Sequence, residues 1–229
     1  MLDTVGFLIL GLCGPLAIGV IVWALPVSDR QRLGVAAVLS AWFIYTIVAP
    51  PRGAVLGIIL PVLATPLLYA LSTTAQRAVA GMILPALIAL HVSRWAGGFF
   101  ILLHGDGRLA NPFAAAAGWG DILAATLAIP AAVIAYRANP GWEKWVLVWN
   151  VIGFADFISA VFLGATSQPG SPIQLFFEPP GAGILGQMPW RLIPNYFVPL
   201  YLIIHVAIFI RLWQALRPAE RAFAPSTPS

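Results

Sequence analysis

Residues 77–104 decide the fold, and they read RAVAGMILPALIALHVSRWAGGFFILLH. This apolar run of 28 residues is longer than the ~20 residues that a helix needs to cross a bilayer. A single helix over the run must therefore tilt, kink at Pro85 or project beyond the lipid. Similar runs recur along the 229-residue chain, in which 60% of the residues are apolar and 9% are charged. The composition predicts an all-α, polytopic membrane helical bundle.

The apolar runs predict about seven transmembrane helices in one membrane domain, residues 1–217. The predicted spans are residues 4–26, 33–49, 53–71, 77–104, 112–136, 143–166 and 191–213. An outer loop, residues 167–190, is rich in proline and glycine, yet apolar enough to fold back over a pocket as a lid. The short tail, residues 218–229, is rich in proline and serine and is predicted to be disordered.

The basic residues predict an amino terminus outside and a carboxyl terminus in the cytoplasm. With this orientation the inner segments hold eight basic residues and the outer loops hold three, which satisfies the positive-inside rule. The inner ones are Arg30, Arg32, Arg77, Arg137, Lys144, Arg211, Arg217 and Arg221, and the outer ones are Arg52, Arg108 and Arg191. We predict a multi-pass protein of the inner (plasma) membrane whose partner is the lipid bilayer. Basic residues scattered singly argue against nucleic acid as a partner.

Three charged residues lie deep inside the predicted spans, away from the span ends: Arg94, Asp121 and Asp156. A charge at membrane depth costs at least ~2.5–3.5 kcal/mol on insertion scales, so a folded protein keeps one only where partners or water compensate it. At a rise of ~1.5 Å per residue, all three residues lie ~14–15 Å below the outer boundary. His91 and His205 come out deeper, at ~20 Å on the same scale. This layering predicts one shared polar site in the outer half of the membrane.

The charge balance of this layer limits its chemistry. One guanidinium facing two carboxylates leaves a net negative charge, which favours a bound proton or cation. The alternative is that Arg94 only ties three helices together. For Asn150 and Asn195, hydrogen bonding between helices is the favoured role. We predict binding or translocation of a small ligand, cation or proton. The predicted ligand-binding residues are Arg94, Asp121, Asp156, His91, His205 and Asn150.

The histidines allow a second function, electron transfer. His91 and His205 lie at similar depth on the fourth and seventh spans, and they could be the two axial ligands of a b-type haem. His104 lies 13 residues from His91 and does not share its helical face, so the histidine spacing predicts no metal site. Cys13 is the only cysteine, which excludes a cysteine-cluster metal site and an intramolecular disulfide. The sequence identifies no cofactor beyond this haem alternative.

Two short motifs suggest a third function. Residues 118–121 read GWGD and residues 85–87 read PAL, and they resemble the G-x-G-D and P-A-L elements of intramembrane aspartyl proteases. Asp156 could be the second carboxylate that shares a proton and activates water. The order of the motifs is reversed in this chain, and an adjacent arginine would hold both carboxylates ionised. The chain also contains no G-x-S-x-G, H-E-x-x-H or Walker loop, so the sequence favours a protein that is not an enzyme.

Several segments of the last four spans carry a wider resemblance. They are residues 94–99, residues 107–109 with 112–114, residues 117–121, residues 149–150 with Gly153 and Asp156, and Pro189 and Trp190 through Pro194 to His205. These segments resemble an uncharacterised family of bacterial multi-pass inner-membrane proteins with about seven helices. The resemblance covers more than half of the chain. It implies the helix boundaries and orientation given above, and it implies no activity.

Overall fold

The computed structural model describes residues 1–50 and 56–216, which fold into helices with no β-strand among them. The helices are α1 (Leu2–Ala24), α2 (Asp29–Val48), α3 (Leu56–Leu71), α4 (Thr73–Gly81), α5 (Leu84–Leu90), α6 (Gly98–Gly105), α7 (Phe113–Arg137), α8 (Trp142–Thr166) and α9 (Val198–Leu216). A 3₁₀ segment, His91–Gly97, joins α5 to α6, and a π segment, Ile193–Phe197, leads into α9. The predictions for Arg52, for residues 53–55 and for the chain from Arg217 onward, including the tail 218–229, lie outside the described residues.

Six helical stretches of the described residues are long and apolar enough to cross a membrane. They are Leu2–Ala24, Asp29–Val48, Leu84–Gly105, Phe113–Arg137, Trp142–Thr166 and Ile193–Leu216. The pair α3 and α4 bends by 99° and gives a seventh span if the pair counts as one. Large apolar side chains cover the outside of the helices, as at Leu12 (71% exposed) and Leu63 (66% exposed). The all-helical prediction is confirmed, and these features indicate a membrane protein.

The fourth predicted span is wrong at its start. Residues 77–104 do not form one helix, because α4 ends at Gly81 and α5 begins at Leu84. Pro85 therefore lies in the first turn of α5, where its missing N–H breaks no helical hydrogen bond, and it does not kink the span. Arg77 belongs to α4 instead. The remaining span, Leu84–Gly105, has 22 residues and fits the thickness of a bilayer.

Most other predicted boundaries agree with the apolar helical stretches to within four residues. The largest difference is at α2, which begins at Asp29 and not at residue 33. Ser28 and Gln31 form a capping box there: the Ser28 hydroxyl accepts from the Gln31 N–H, and the Gln31 side chain accepts from the Ser28 N–H. These bonds satisfy the first free N–H groups of the helix. They allow α2 to begin in a polar stretch, which hydropathy alone would assign to the preceding loop.

Two stretches that are not α-helical shape the centre of the bundle. A 3₁₀ helix has about three residues per turn, so His91, Arg94 and Gly97 line up on one face, and all three are buried. In an α-helix these residues would be offset over about 120° around the axis instead of lining up. Just after the π segment, Pro199 of α9 lacks the N–H that would bond the carbonyl of Asn195 in an α-helix. Both stretches pack one face against the protein interior, where irregular backbone is tolerated.

Contacts between helix ends divide the loops into two groups. At one end, Asp3 accepts hydrogen bonds from Arg108 Nη2 at 2.9 Å and from Trp190 Nε1 at 2.8 Å. At the other end, the Ile83 N–H donates to the Ala24 carbonyl at 2.9 Å. The amino terminus, the turn after α6 and the start of the last helix therefore share one end of the bundle. The end of α1 and the start of α5 share the opposite end.

The loop 167–190 packs onto the end of the bundle that holds the amino terminus. The Leu175 N–H donates to the Thr166 carbonyl at 2.8 Å. The Trp190 side chain is fully buried, and its ring packs against Phe99 with the centroids 5.2 Å apart. No residue of the loop lines the small cavity beside Arg94 that is described below. The loop therefore closes the end of the bundle and does not contact the pocket as the predicted lid would.

Candidate functional site

A buried ion cluster occupies the centre of the bundle. Arg94 Nε donates to Asp121 Oδ1 at 2.8 Å, and Arg94 Nη2 donates to Asp156 Oδ2 at 2.5 Å. The Arg94 side chain is 1% exposed, and those of Asp121 and Asp156 are 13% and 11% exposed. The arginine comes from the 3₁₀ segment, and the two aspartates come from α7 and α8. The three charges that were predicted to share one layer are therefore in direct contact.

The rest of the Arg94 guanidinium is also engaged. Nη1 faces the Gly153 carbonyl oxygen and His205 Nε2, each at 3.3 Å. The guanidinium carbon lies 3.8 Å from the centroid of the Phe157 ring, which is a cation–π contact. An arginine cannot escape burial by losing its proton, so it needs this full set of partners.

His205 is held in one tautomer. Arg94 Nη1 can only donate, so His205 Nε2 is the acceptor of that hydrogen bond. The ring proton is therefore on His205 Nδ1, which donates to Asn150 Oδ1 at 2.7 Å. Asn150 Nδ2 in turn donates to the His205 carbonyl oxygen at 3.1 Å. Asn150 thus bonds α8 to α9, as the sequence predicted, and it fixes the ring that supports the arginine.

Three glycines make room for the cluster. A Cβ on Gly97 would clash with the Asp121 carboxyl, and a Cβ on Gly120 would clash with Asp156 Oδ1. A Cβ on Gly153 would lie 2.7 Å from the imidazole and 3.1 Å from the guanidinium of the cluster. Each charged group therefore approaches the backbone of another element more closely than a larger residue allows.

His91 is fully buried beside the cluster and has no hydrogen bond to it. Neither of its ring nitrogens has a partner among the described residues. Its ring lies among other aromatic rings, with centroid distances of 4.3 Å to His205, 4.9 Å to Tyr201 and 5.2 Å to Trp149. His91 therefore belongs to the site by packing alone.

The two histidines do not fit a bis-histidine haem. Such a haem needs an imidazole on each face of a flat macrocycle. His91 and His205 instead pack ring against ring, with their centroids 4.3 Å apart, which leaves no layer for a macrocycle between them. Both nitrogens of His205 are also engaged, one by Arg94 and one by Asn150. The geometry gives no support to electron transfer.

The two carboxylates do not form an aspartyl protease dyad either. That dyad works because two carboxyl groups share one proton directly. Asp121 and Asp156 instead bind different nitrogens of one guanidinium, so the guanidinium and not a shared proton joins the two groups. The geometry gives no support to peptide hydrolysis.

A small cavity adjoins the cluster. Its volume is ≈30 Å³, enough for about one or two water molecules. Its polar lining consists of Arg94, Asp121, Ser93 and Tyr201. The Ser93 hydroxyl donates to the Leu90 carbonyl at 2.6 Å, so in the bond between Ser93 and Tyr201 the tyrosine hydroxyl is the donor. The Tyr201 oxygen can therefore accept a hydrogen bond from water in the cavity.

Five of the six predicted site residues form one hydrogen-bonded network, and His91 only packs against it. Sequence reasoning missed Ser93, Tyr201 and Phe157, which line the cavity or contact the guanidinium. Tyr201 lies four residues before His205 and shares its helical face, so spacing could have found it. A phenylalanine in so apolar a chain carries no comparable signal.

Comparison with known proteins identifies a family and no function. No curated protein and no solved structure matches the chain. The family model described as a domain of unknown function (DUF8737) matches residues 51–213. This range holds more than two thirds of the chain and every residue of the ion cluster. The protein is therefore a member of this family of unknown function, which agrees with the prediction of an uncharacterised family.

Proposed function

We propose that the protein binds a proton at the cluster of Arg94, Asp121 and Asp156 and passes it across the membrane. The observation that carries the proposal is the charge imbalance, because two carboxylates face one guanidinium in a buried place. With both carboxylates ionised the cluster is a net anion, and an unbalanced charge at membrane depth is costly. A bound proton removes this cost. Release of the proton restores the anion that attracts the next one.

The small cavity favours a proton over the other ligands that the sequence allows. Its volume of ≈30 Å³ is too small for an organic ligand of more than a few atoms. The guanidinium of Arg94 repels a metal cation there, and the carboxylate of Asp121 repels an anion. A proton meets neither obstacle, because it bonds directly to a carboxylate or water oxygen.

The proposal includes seven spans with the amino terminus outside, in the inner (plasma) membrane. In this topology α3 crosses the membrane and α4 lies along its inner surface. The hydrogen bond of 2.9 Å from Trp42 Nε1 to the Gly57 carbonyl supports it, because it joins the start of α3 to the last turns of α2. The bend of 99° directly after α3 supports it as well. Arg77 on α4 then adds to the positive charge of the inner side.

The test is proton movement by Asp121→Asn and Asp156→Asn. Each variant keeps the size of the side chain and removes its negative charge. Purified protein is reconstituted into vesicles that contain a pH-sensitive dye, and a potassium diffusion potential drives the flux. Wild-type protein should move protons, and both variants should not, although they elute as folded protein. Infrared spectra at two pH values should contain a carboxyl band that these variants lose.

The matched control is Asp3→Asn. The ion pair between Asp3 and Arg108, at 2.9 Å, lies at the end of the bundle, and the two side chains are 53% and 31% exposed. This variant should retain the proton flux of the wild type. Wild-type protein that moves no protons would contradict the proposal, and the absence of a carboxyl band that responds to pH would contradict proton binding as well. The ion cluster would then only tie helices together.

A further inference from the structure

The cavity beside Asp121 has an apolar wall toward the end of the bundle that holds the amino terminus. Leu10 of α1 forms this wall together with Ile193 and Phe197 of the π segment. All three side chains are buried, with exposures of 1%, 8% and 5%. Because they are packed and carry no polar group, they separate the polar lining of the cavity from that end of the bundle.

The order of residues along the last span gives the order in depth. Ile193, Phe197 and Tyr201 follow each other at a spacing of four residues, so they share one helical face. Ile193 lies three residues after Trp190, which bonds Asp3 at the end of the bundle. The Phe197 ring stacks on the Tyr201 ring, with centroids 6.1 Å apart and planes inclined by 19°. A path from that end therefore meets two apolar side chains first and a hydroxyl next.

The backbone that carries these side chains can rearrange. Ile193 is the first residue of the π segment and Phe197 is the last. A π turn is closed by hydrogen bonds that reach one residue further than those of an α-helix. Exchanging the bond from the Val198 N–H to the Ile193 carbonyl for an α-helical bond to the Pro194 carbonyl shifts the register of the turn and rotates its side chains. This exchange does not need the N–H that Pro199 lacks. Such a shift would move the Phe197 ring away from Tyr201.

We propose that Leu10, Ile193 and Phe197 form a hydrophobic gate through which water reaches the cavity and Asp121 from the outer side. An apolar constriction of this kind excludes water when it is closed. When the π segment rearranges, water fills the cavity and connects the carboxylate with the outer solution. The gate rests on the proposed function in one respect only, that the water delivers the proton. Opening of the gate can be measured without any proton flux.

Chemical modification of the Cys13 thiol can show whether the gate is open, because Cys13 is the only cysteine in the chain and it lines the cavity. The probe is trimethylammonium-ethyl methanethiosulfonate, a charged thiol reagent that does not cross membranes. It is too large for a cavity of ≈30 Å³, so it reaches Cys13 only when the gate opens. Protein in sealed vesicles of known orientation is treated from either side. Mass spectrometry follows the modification.

The control is Leu12→Cys in a Cys13→Ser background. Leu12 lies at the same depth as Cys13, and its side chain is 71% exposed on the outside of the bundle. A thiol at residue 12 should therefore face lipid and stay unmodified by a charged reagent from either side. Modification of this thiol would mean that the reagent reaches residues 12 and 13 through the lipid face, and it would overturn the gate.

Removal of the Phe197 ring should open the path. Phe197→Ala should raise the rate of Cys13 modification from the outer side by at least about tenfold, which corresponds to about 1.4 kcal/mol in the opening equilibrium. Phe197→Leu keeps an apolar side chain of similar bulk and should change the rate much less. Faster modification from the inner side, or an unchanged rate in folded Phe197→Ala protein, would overturn the gate. If Phe197→Ala does not fold, Ile193→Ala replaces it in the test. It should likewise raise the rate of Cys13 modification from the outer side, and an unchanged rate in folded Ile193→Ala protein would overturn the gate.

The two proposals fail in different ways. If Cys13 responds as expected and the wild type moves no protons, the gate stands and the proposed function fails. If proton flux depends on Asp121 and Cys13 stays unreactive in the gate variants, the gate fails and the proposed function stands.

Discussion

Replacing Gly120 with alanine should disrupt the contact between α7 and α8 at Asp156. The added Cβ would overlap Asp156 Oδ1, so the carboxylate must leave its position 2.5 Å from Arg94 Nη2. Loss of a hydrogen bond between charged groups costs about 1.5–3 kcal/mol, and forcing a methyl group into packed structure adds about 1–3 kcal/mol. The better helix propensity of alanine returns about 1 kcal/mol. The free energy of unfolding should therefore fall by about 1.5–5 kcal/mol.

The assay is reversible unfolding in mixed micelles with increasing denaturing detergent, followed by circular dichroism. Gly11→Ala is the matched control, because a Cβ on Gly11 meets nothing within 4 Å and the change should be neutral or slightly stabilising. A second control repeats Gly120→Ala in an Asp156→Ala background. Without the carboxylate, the added methyl group should cost less than about 0.5 kcal/mol. Equal losses in the two backgrounds would refute the explanation by close approach of Asp156 to Gly120.

Three further substitutions should change stability in the same assay. Arg94→Met leaves two carboxylates without their cation and should cost about 3–5 kcal/mol; a loss below about 1 kcal/mol would mean that the ion pairs are not formed. Asn150→Leu removes the acceptor of the His205 Nδ1 proton and should cost about 1–3 kcal/mol, whereas no loss would mean that Asn150 does not bond the ring. His91→Leu removes a buried imidazole that lacks partners among the described residues, so stability should hold or rise by about 1 kcal/mol. A clear loss in this variant would mean that water or another group bonds the ring.

The positions of the long helices could be predicted from the sequence because the signal is local. A run of apolar residues near bilayer length specifies a helix by itself, and the fifth predicted span, 112–136, is found as Phe113–Arg137. The charged layer could be predicted as well, because depth follows from residue number along each helix. The contact of Arg94 with both aspartates agrees with that simple geometry to within a helical turn.

The irregular backbone could not be predicted, because its causes lie elsewhere in the chain. The break before α5 is stabilised by the hydrogen bond from the Ile83 N–H to the Ala24 carbonyl, a contact between distant segments. The 3₁₀ segment is buried within the protein at His91, Arg94 and Gly97, and hydropathy does not distinguish it from an α-helix. The sequence suggested a haem that the geometry does not support, for a related reason. Depth placed two imidazoles in one layer, but it could not show that their rings pack against each other.

The composition of the ion cluster favours the proposed proton site over a purely structural role. One carboxylate is enough to tie an arginine to a neighbouring helix, and a buried ion pair adds little stability over a well-packed apolar contact. Asp156 brings a second charge into the same buried site, where it repels the charge of Asp121. This repulsion does not stabilise the contact between the helices. A site that takes up and releases a proton needs it, because the excess negative charge supplies the attraction for the proton.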